Sequence, residues 1–153
     1  MNSPLPPSSP IEASTRANYA GVDYGTRRIG LAKQEHTLAL PWTTLHCRNE
    51  QEACATLVQT LQEAGITHVI MGLPLNMDGS EGMMARRTKR FAKALTTHMP
   101  KLVLQFWDER LSSQQSARAL QNLGLNSKAQ KGHLDAAAAT LLLQSYLDAQ
   151  GQS

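Results

Sequence analysis

This 153-residue chain has few of the features that would assign it to a redox, zinc-binding or membrane class. It has two cysteines, Cys47 and Cys54, whose spacing fits neither a C-x-x-C redox pair nor a zinc knuckle. They read as ordinary reduced thiols, in keeping with a cytoplasmic protein. No apolar stretch approaches the ~20 residues of a membrane span. The N-terminus lacks the basic-then-apolar pattern of a secretory leader, so no membrane partner is expected. No aromatic pair resembles an RNA-recognition platform, and no segment reads as a base-reading helix.

Acidic residues are also scarce over one long stretch. Residues 1–81 hold five Lys/Arg and eight Asp/Glu, a net of −3; residues 82–153 hold ten and four, a net of +6. Between Gly82 and Leu134 the only acids are the adjacent Asp108 and Glu109, among ten basic residues. A solvated helix face normally interleaves both signs. So one-sided a segment points to a polyanion, which makes a nucleic acid the expected partner. The two acids are then exceptions that need a reason.

The chain is long enough for one domain with its own core. Residues 1–18 carry four prolines and several serines with little apolar content and read as a disordered tail, leaving 19–150 as the single domain. Apolar runs predict strands over about 19–23 and 28–34, and Leu38-Ala39-Leu40 before Pro41 allows a third. Helical spacing of Cys54, Leu57, Val58 and Leu61 predicts a helix from Glu50 to Ala64, stopped by Gly65. A buried strand at 68–71 leads to a loop, Gly72 to Ser80. A basic helix then starts near Ser80-Glu81, with Met84, Thr88, Phe91, Ala92, Leu95 and Met99 inward, and Pro100 ends it. A strand over 102–107 delivers Asp108-Glu109-Arg110. Ser112 or Ser113 can cap a helix to Leu123, closed by Gly124. The last helix runs from about 134 to 149 with Leu134, Ala138, Leu141 and Tyr146 for packing. Three antiparallel strands followed by αβ alternation give an α/β class with a mixed central sheet.

The most informative stretch is Gly21-Val22-Asp23-Tyr24-Gly25-Thr26-Arg27-Arg28. A strand delivers one aspartate to a small cationic turn, and Ile29-Gly30-Leu31-Ala32 resumes the sheet. A carboxylate there can hold a divalent cation while glycine lets a substrate approach the backbone; it can equally cap a hairpin turn. Functional groups gather at the carboxyl ends of strands in such sheets. Asp23, the loop after Met71 and the Asp108/Glu109 pair each follow a strand. Alternation puts Asp108 and Glu109 on opposite faces, so only one should be essential. Asp135 lies in the first turn of an Ala-rich helix, where the dipole favours an acid. The small residues Ala136 to Ala139 also allow that helix to approach the sheet closely. Three converging carboxylates would suit Mg²⁺ or Mn²⁺. Two such ions about 3.5–4 Å apart serve phosphodiester hydrolysis.

Four segments carry a family resemblance. Val22-Asp23-Tyr24-Gly25-Thr26-Arg27-Arg28-Ile29-Gly30-Leu31-Ala32 resembles the opening motif of the YqgF/RuvX family, bacterial proteins described as candidate Holliday junction resolvases and as pre-16S rRNA nucleases. Residues 72–82 resemble its second signature, Asp108-Glu109-Arg110-Leu111-Ser112-Ser113 its third, and residues 131–147 its closing motif. The resemblance spans about residues 19–148. It implies a ribonuclease H-like fold and a catalytic metal site of Asp23, Glu109 and Asp135. Lys33-Gln34-Glu35 stands where the family more often has a small residue and an aspartate, and the tail has no counterpart. RuvC resolvases carry a further acid a turn beyond the last aspartate, whereas position 138 here is alanine.

Substrate-binding candidates are Thr26, Arg27 and Arg28 in the first turn and Asn76 and Ser80 in the loop. Arg86, Arg87 and Arg90 on the basic helix and Arg110 beside the acids complete the set. The loop is expected to be mobile until nucleic acid binds. The expected activity is that of a metal-dependent endonuclease on structured nucleic acid, leaning to 5′-end maturation of pre-16S rRNA with a pre-30S particle as partner. A junction resolvase, which would be expected to dimerise, and a non-catalytic RNA-binding assembly protein are the alternatives. A monomer or weak homodimer is compatible with the sequence. Asp23-Tyr24-Gly25-Thr26 also resembles the phosphate turn of actin-like and sugar-kinase-like ATPases, which close two such domains around a nucleotide.

Overall fold

The computed structural model describes residues 16–112 and 131–151, with side chains from Ala136 onward in the second segment. Strands β1 (Tyr19–Tyr24), β2 (Arg28–Glu35) and β3 (Leu38–His46) form an antiparallel meander. Helix α1 (Glu50–Glu63), strand β4 (His68–Leu73), helix α2 (Met83–His98) and strand β5 (Val103–Asp108) follow. A 3-10 turn (Glu109–Leu111) closes β5, and helix α3 (Lys131–Gly151) ends the described chain. The sheet order is β3-β2-β1-β4-β5, with β4 parallel to both β1 and β5. This is the mixed sheet that the sequence pattern predicts.

Several boundaries differ from expectation for identifiable reasons. Strand β3 continues through Pro41 because it is an edge strand with a bulge opposite Leu31/Ala32, where a missing N–H is tolerated. Helix α1 is capped by Asn49, whose side chain accepts from Glu52 N at 2.8 Å, and Gly65 follows it at φ 68°. Helix α2 starts at Met83, later than expected, because residues 75–81 fold back on themselves first. Asn18, expected in the tail, is bonded to the domain: its N–H donates to Thr67 Oγ1 at 2.7 Å and its amide to Ala64 O and Gly65 O. Residues 1–15 and the helix expected after Ser112 lie outside the described residues.

One face of the sheet packs against α1 and α2 through Val22, Ile29, Leu57, Leu61, Met71, Phe91 and Leu95, all essentially inaccessible to water. Tyr24 stacks on Phe91 with ring centroids 4.3 Å apart. The other face is covered by α3. There Ala136, Ala139, Leu142, Leu143 and Tyr146 are buried, not the expected Ala138 and Leu141. A helix reading Ala-Ala-Ala-Ala-Thr-Leu-Leu-Leu has no period to fix its rotation. Gly21 sets the spacing instead: a Cβ there would stand 2.8 Å from Ala139 O and 2.8 Å from Leu143 Cβ.

Candidate active site at the carboxyl edge of the sheet

The parallel pairing of β1 with β4 aligns Val22 with Met71, so Asp23 follows beside Gly72. In the next strand Gly72 is paired with Trp107 and Leu73 with Asp108. Gly21, Ile70 and Trp107 face α3, and side chains alternate along each strand, so Asp23 and Gly72 share that face. Glu109 folds back over Gly72. A Cβ added at Gly72 would lie 2.6 Å from Glu109 Oε2, 2.9 Å from Cγ and 3.2 Å from Cδ. Glu109 thus occupies the space a side chain at position 72 would fill, one strand from Asp23.

Helix α3 runs antiparallel to β1. Its late residue Tyr146 meets Tyr19 at the start of β1 (5.6 Å between centroids), while the earlier Ala139 lies over Gly21. Trp107 Nε1 donates to Ser145 Oγ at 3.0 Å, and Gln144 Oε1 accepts from Ala39 N at 2.8 Å, which fixes the helix axially. The N-terminal end of α3 therefore points to the Asp23 edge. Asp135 is one turn before Ala139, on the same side of the helix backbone; its side chain is outside the description. The helix starts at Lys131, so Asp135 is beyond the first turn, which contains no acid. The dipole account of Asp135 loses its ground, since that effect fades after the first turn.

Asp108 and Glu109 have opposite surroundings. Asp108 caps the 3-10 turn, accepting from Arg110 N at 2.9 Å, and both its oxygens take Arg110's guanidinium (Nη2 to Oδ2, 2.7 Å). That hydrogen bonding holds the Asp108 carboxyl below its usual range. Burial, followed by the charge of Asp108, pushes Glu109 up. Among the described residues no donor or cation is paired with the Glu109 carboxylate. Tyr24, the residue after Asp23, faces α2 instead; its Oη donates to Glu50 Oε2 at 3.1 Å, and burial with that bond lifts its pKa to about 12. It is a neutral donor, unsuited to act as a base at neutral pH. Burial likewise raises both free thiols, Cys47 and Cys54, in keeping with inert cysteines.

The loop after β4 is a hydrogen-bonded turn. Leu75 and Glu81 form a bridge, Asn76 N donates to Ser80 O (2.9 Å) and Gly79 N to Asn76 O (2.8 Å). Asn76 Nδ2 donates to Ser80 Oγ, which in turn donates to Asp78 Oδ1 at 2.6 Å. Arg110 Nη1 reaches Met77 O at 3.1 Å, tying this turn to the end of β5. Asn76, Ser80 and Arg110 are thus engaged within the protein.

Thr26 and Arg27 are exposed in the β1–β2 turn, and Arg28, half-buried, opens β2. On α2, Arg86 donates to Glu81 O, Lys89 pairs with Glu81, and Arg90 Nε lies 3.9 Å from Glu50. Arg87 is half-buried, its charge is felt by Tyr24, and its Nε is buried without a hydrogen-bond partner among the described residues. α2 lies on the sheet face opposite Asp23, with its N-terminus at the same carboxyl edge. Sequence reasoning overlooked Gly72; a glycine inside an apolar strand run was the available signal, since it often marks a close approach.

The family model described as "RuvX: Holliday junction resolvase" matches residues 17–149. The chain belongs to the RuvX family. A protein of Chloroflexus aurantiacus is 38% identical over 130 residues, covering 84% of each chain. One of Anaeromyxobacter dehalogenans is 40% identical over 84% of this chain and 94% of its own. Both bear the name "Putative pre-16S rRNA nuclease". Among solved structures, Thermus thermophilus RuvC in complex with a Holliday junction substrate matches with TM-score 0.61 at 14% identity, covering 90% of this chain and 98% of that one. Fowlpox virus resolvase with Holliday junction DNA matches with TM-score 0.56 at 12% identity, covering 87% and 98%. The fold is that of the ribonuclease H-like resolvases.

Proposed function

We propose that this chain is a divalent-metal-dependent endonuclease acting on structured RNA, with 5′-end maturation of pre-16S rRNA as its task. What carries the reading is the half-buried Glu109 carboxylate, folded over Gly72 beside Asp23 with no described counter-charge. Removing an acid from water without a partner is unfavourable, and a hard cation with oxygen ligands relieves it. Asp23 and Glu109, joined by Asp135 from the facing end of α3, are the residues that would hold Mg²⁺ or Mn²⁺. Among the described residues no group of three His, Cys, Asp or Glu could hold a metal, and the Asp135 side chain is outside that set. When bound, such an ion supplies Lewis acidity toward a phosphoryl oxygen and a water of lowered pKa.

The protein's own groups do the rest. Arg27 and Arg28 beside the Asp23 turn, with Arg86, Arg87 and Arg90 on α2, offer cationic contacts for the nucleic-acid backbone along the same edge. Asn76, Ser80 and Arg110 serve by keeping the 75–81 turn in shape rather than by touching phosphate. The names of the relatives favour rRNA, and the description of the family model favours a four-way DNA junction. A non-catalytic RNA-binding role leaves the unpaired Glu109 without a purpose. Cleavage of a pre-16S 5′-leader RNA and a four-way DNA junction, run side by side in Mg²⁺, is the test. Cutting of the RNA alone is expected. Cutting of the junction alone would overturn the substrate, and cutting of neither would overturn the nuclease reading.

A further inference from the structure

Gly21 and Gly72 both lie on the sheet face under α3, yet a methyl group at each would meet different things. At Gly21 it meets the Ala139 carbonyl, which is helix backbone, along with Leu143 Cβ. At Gly72 the three nearest atoms all belong to one flexible side chain, that of Glu109. Filling position 21 must therefore move a helix; filling position 72 need only move a carboxylate.

We infer that Gly72 is a positioning residue for Glu109, its missing side chain forming the notch that aims this carboxylate toward Asp23. The inference rests on the metal-site reading above and adds to it the residue that sets the site's geometry. Two features make the notch decisive. Arg110 is taken up by Asp108 and by Met77 O, so no described cation steers Glu109. Glu109 is also the first residue of a three-residue 3-10 turn, which leaves its direction to what it lies against. On the far side of Gly72, β1 brings Asp23 alongside through the Val22–Met71 register. An alanine at 72 would push Oε2 outward from a contact of 2.6 Å, away from the neighbouring strand.

Calorimetric titration of Mn²⁺ into the full chain tests this, using wild type, Gly72→Ala, Glu109→Gln and the double variant. Gly72→Ala should weaken Mn²⁺ binding about 10–100-fold, the range typical when support of a metal ligand is lost. Its metal-free melting temperature should stay within a few degrees of wild type. The double variant should bind no more weakly than Glu109→Gln alone, because residues that act through one another are not additive. Wild-type affinity in Gly72→Ala, or additive losses in the double variant, would overturn the inference while leaving the metal site standing. Absence of Mn²⁺ binding to wild type would remove the metal reading itself and this inference with it. Should Gly72→Ala fail to fold, Gly72→Ala/Glu109→Ala must fold, since the side chain that the methyl meets is gone. Failure of both would show that position 72 acts on something other than Glu109.

Discussion

The sheet face under α1 and α2 and the face under α3 are closed by different means. The first is filled by large side chains: Phe91, Leu57, Leu61, Ile29 and Met71 interdigitate, and Tyr24 stacks on Phe91. The second is closed by approach. Ala136 and Ala139 bring the helix backbone down onto Gly21, and the aromatic side chains gather at the far end, where Tyr146 meets Tyr19 and Trp107. A face packed by large residues leaves little room at its centre for a hydrated group. A face packed by alanines and glycines leaves such room at its open end, and there Asp23 and Glu109 lie. The Asp23 and Glu109 carboxylates lie on the thin face, and most of the large buried side chains lie on the thick one.

That division can be broken by substitution. Phe91→Ala on the thick face should cost about 3–5 kcal/mol, the usual loss for a buried aromatic, and leave Mn²⁺ affinity of the folded protein unchanged. Gly21→Ala on the thin face should cost less, about 1–3 kcal/mol, as overpacking does. Because the displaced element carries Asp135, it should also weaken Mn²⁺ binding. Chemical denaturation paired with Mn²⁺ titration reads both, and equal metal affinity in the two variants would erase the distinction.

The basic helix belongs to the thick face, so its arginines should act on affinity and not on chemistry. Replacing Arg86, Arg87 and Arg90 with alanine should weaken binding to all sequences alike. Each lost phosphate contact should flatten the log–log salt dependence by about 0.7–0.9. Arg87, whose Nε has no hydrogen-bond partner among the described residues, should account for more of this than Arg90, which already has Glu50 nearby. An unchanged slope would mean that α2 faces something other than nucleic acid.

The smallest effect expected is a pH dependence of the metal-free protein. Burial and then the charge of Asp108 raise the Glu109 carboxyl, so the folded state holds its proton more tightly than the unfolded chain does. Stability then falls as pH rises from the unfolded value through the raised folded one. The Asp108 carboxyl is lowered and contributes with the opposite sign, losing its stabilisation as pH falls through its folded value. Comparing wild type with Glu109→Gln isolates the first, since Asp108 remains in both. Identical melting-temperature profiles from pH 4 to 7 (roughly the window around a carboxylate's ordinary value) would show that Glu109 is not held in the buried position described.

Much of this arrangement was legible from residues alone, and the exceptions have physical causes. Acids just after apolar runs marked the strand ends, and the antiparallel-then-parallel order followed from short turns giving way to helical connections. The rotation of α3 was not legible, because Ala136 to Leu143 is apolar on nearly every side. Its start at Lys131 was missed because Gly132 disfavours a helix interior, which misplaced Asp135 in a first turn. Pro41 suggested an early end to β3, although an edge strand tolerates it. Asn76 and Ser80 looked like phosphate ligands by residue type. Only the three-dimensional turn shows their polar atoms engaged with each other and with Asp78. Arg110 likewise became a tie between β5 and the 75–81 turn once its partners were visible.

The central claim is that Asp23, Glu109 and Asp135 form one divalent-cation site, and a melting experiment with added Mn²⁺ addresses it most directly. Wild-type protein at a Mn²⁺ concentration about 100-fold above its dissociation constant should gain about 2.7 kcal/mol, seen as a raised melting temperature. Asp23→Asn, Glu109→Gln and Asp135→Asn should each remain folded, lose most of that rise, and fail to cleave nucleic acid. A wild-type protein whose melting temperature ignores Mn²⁺, or an Asp23→Asn variant that cleaves at the wild-type rate, would contradict the account.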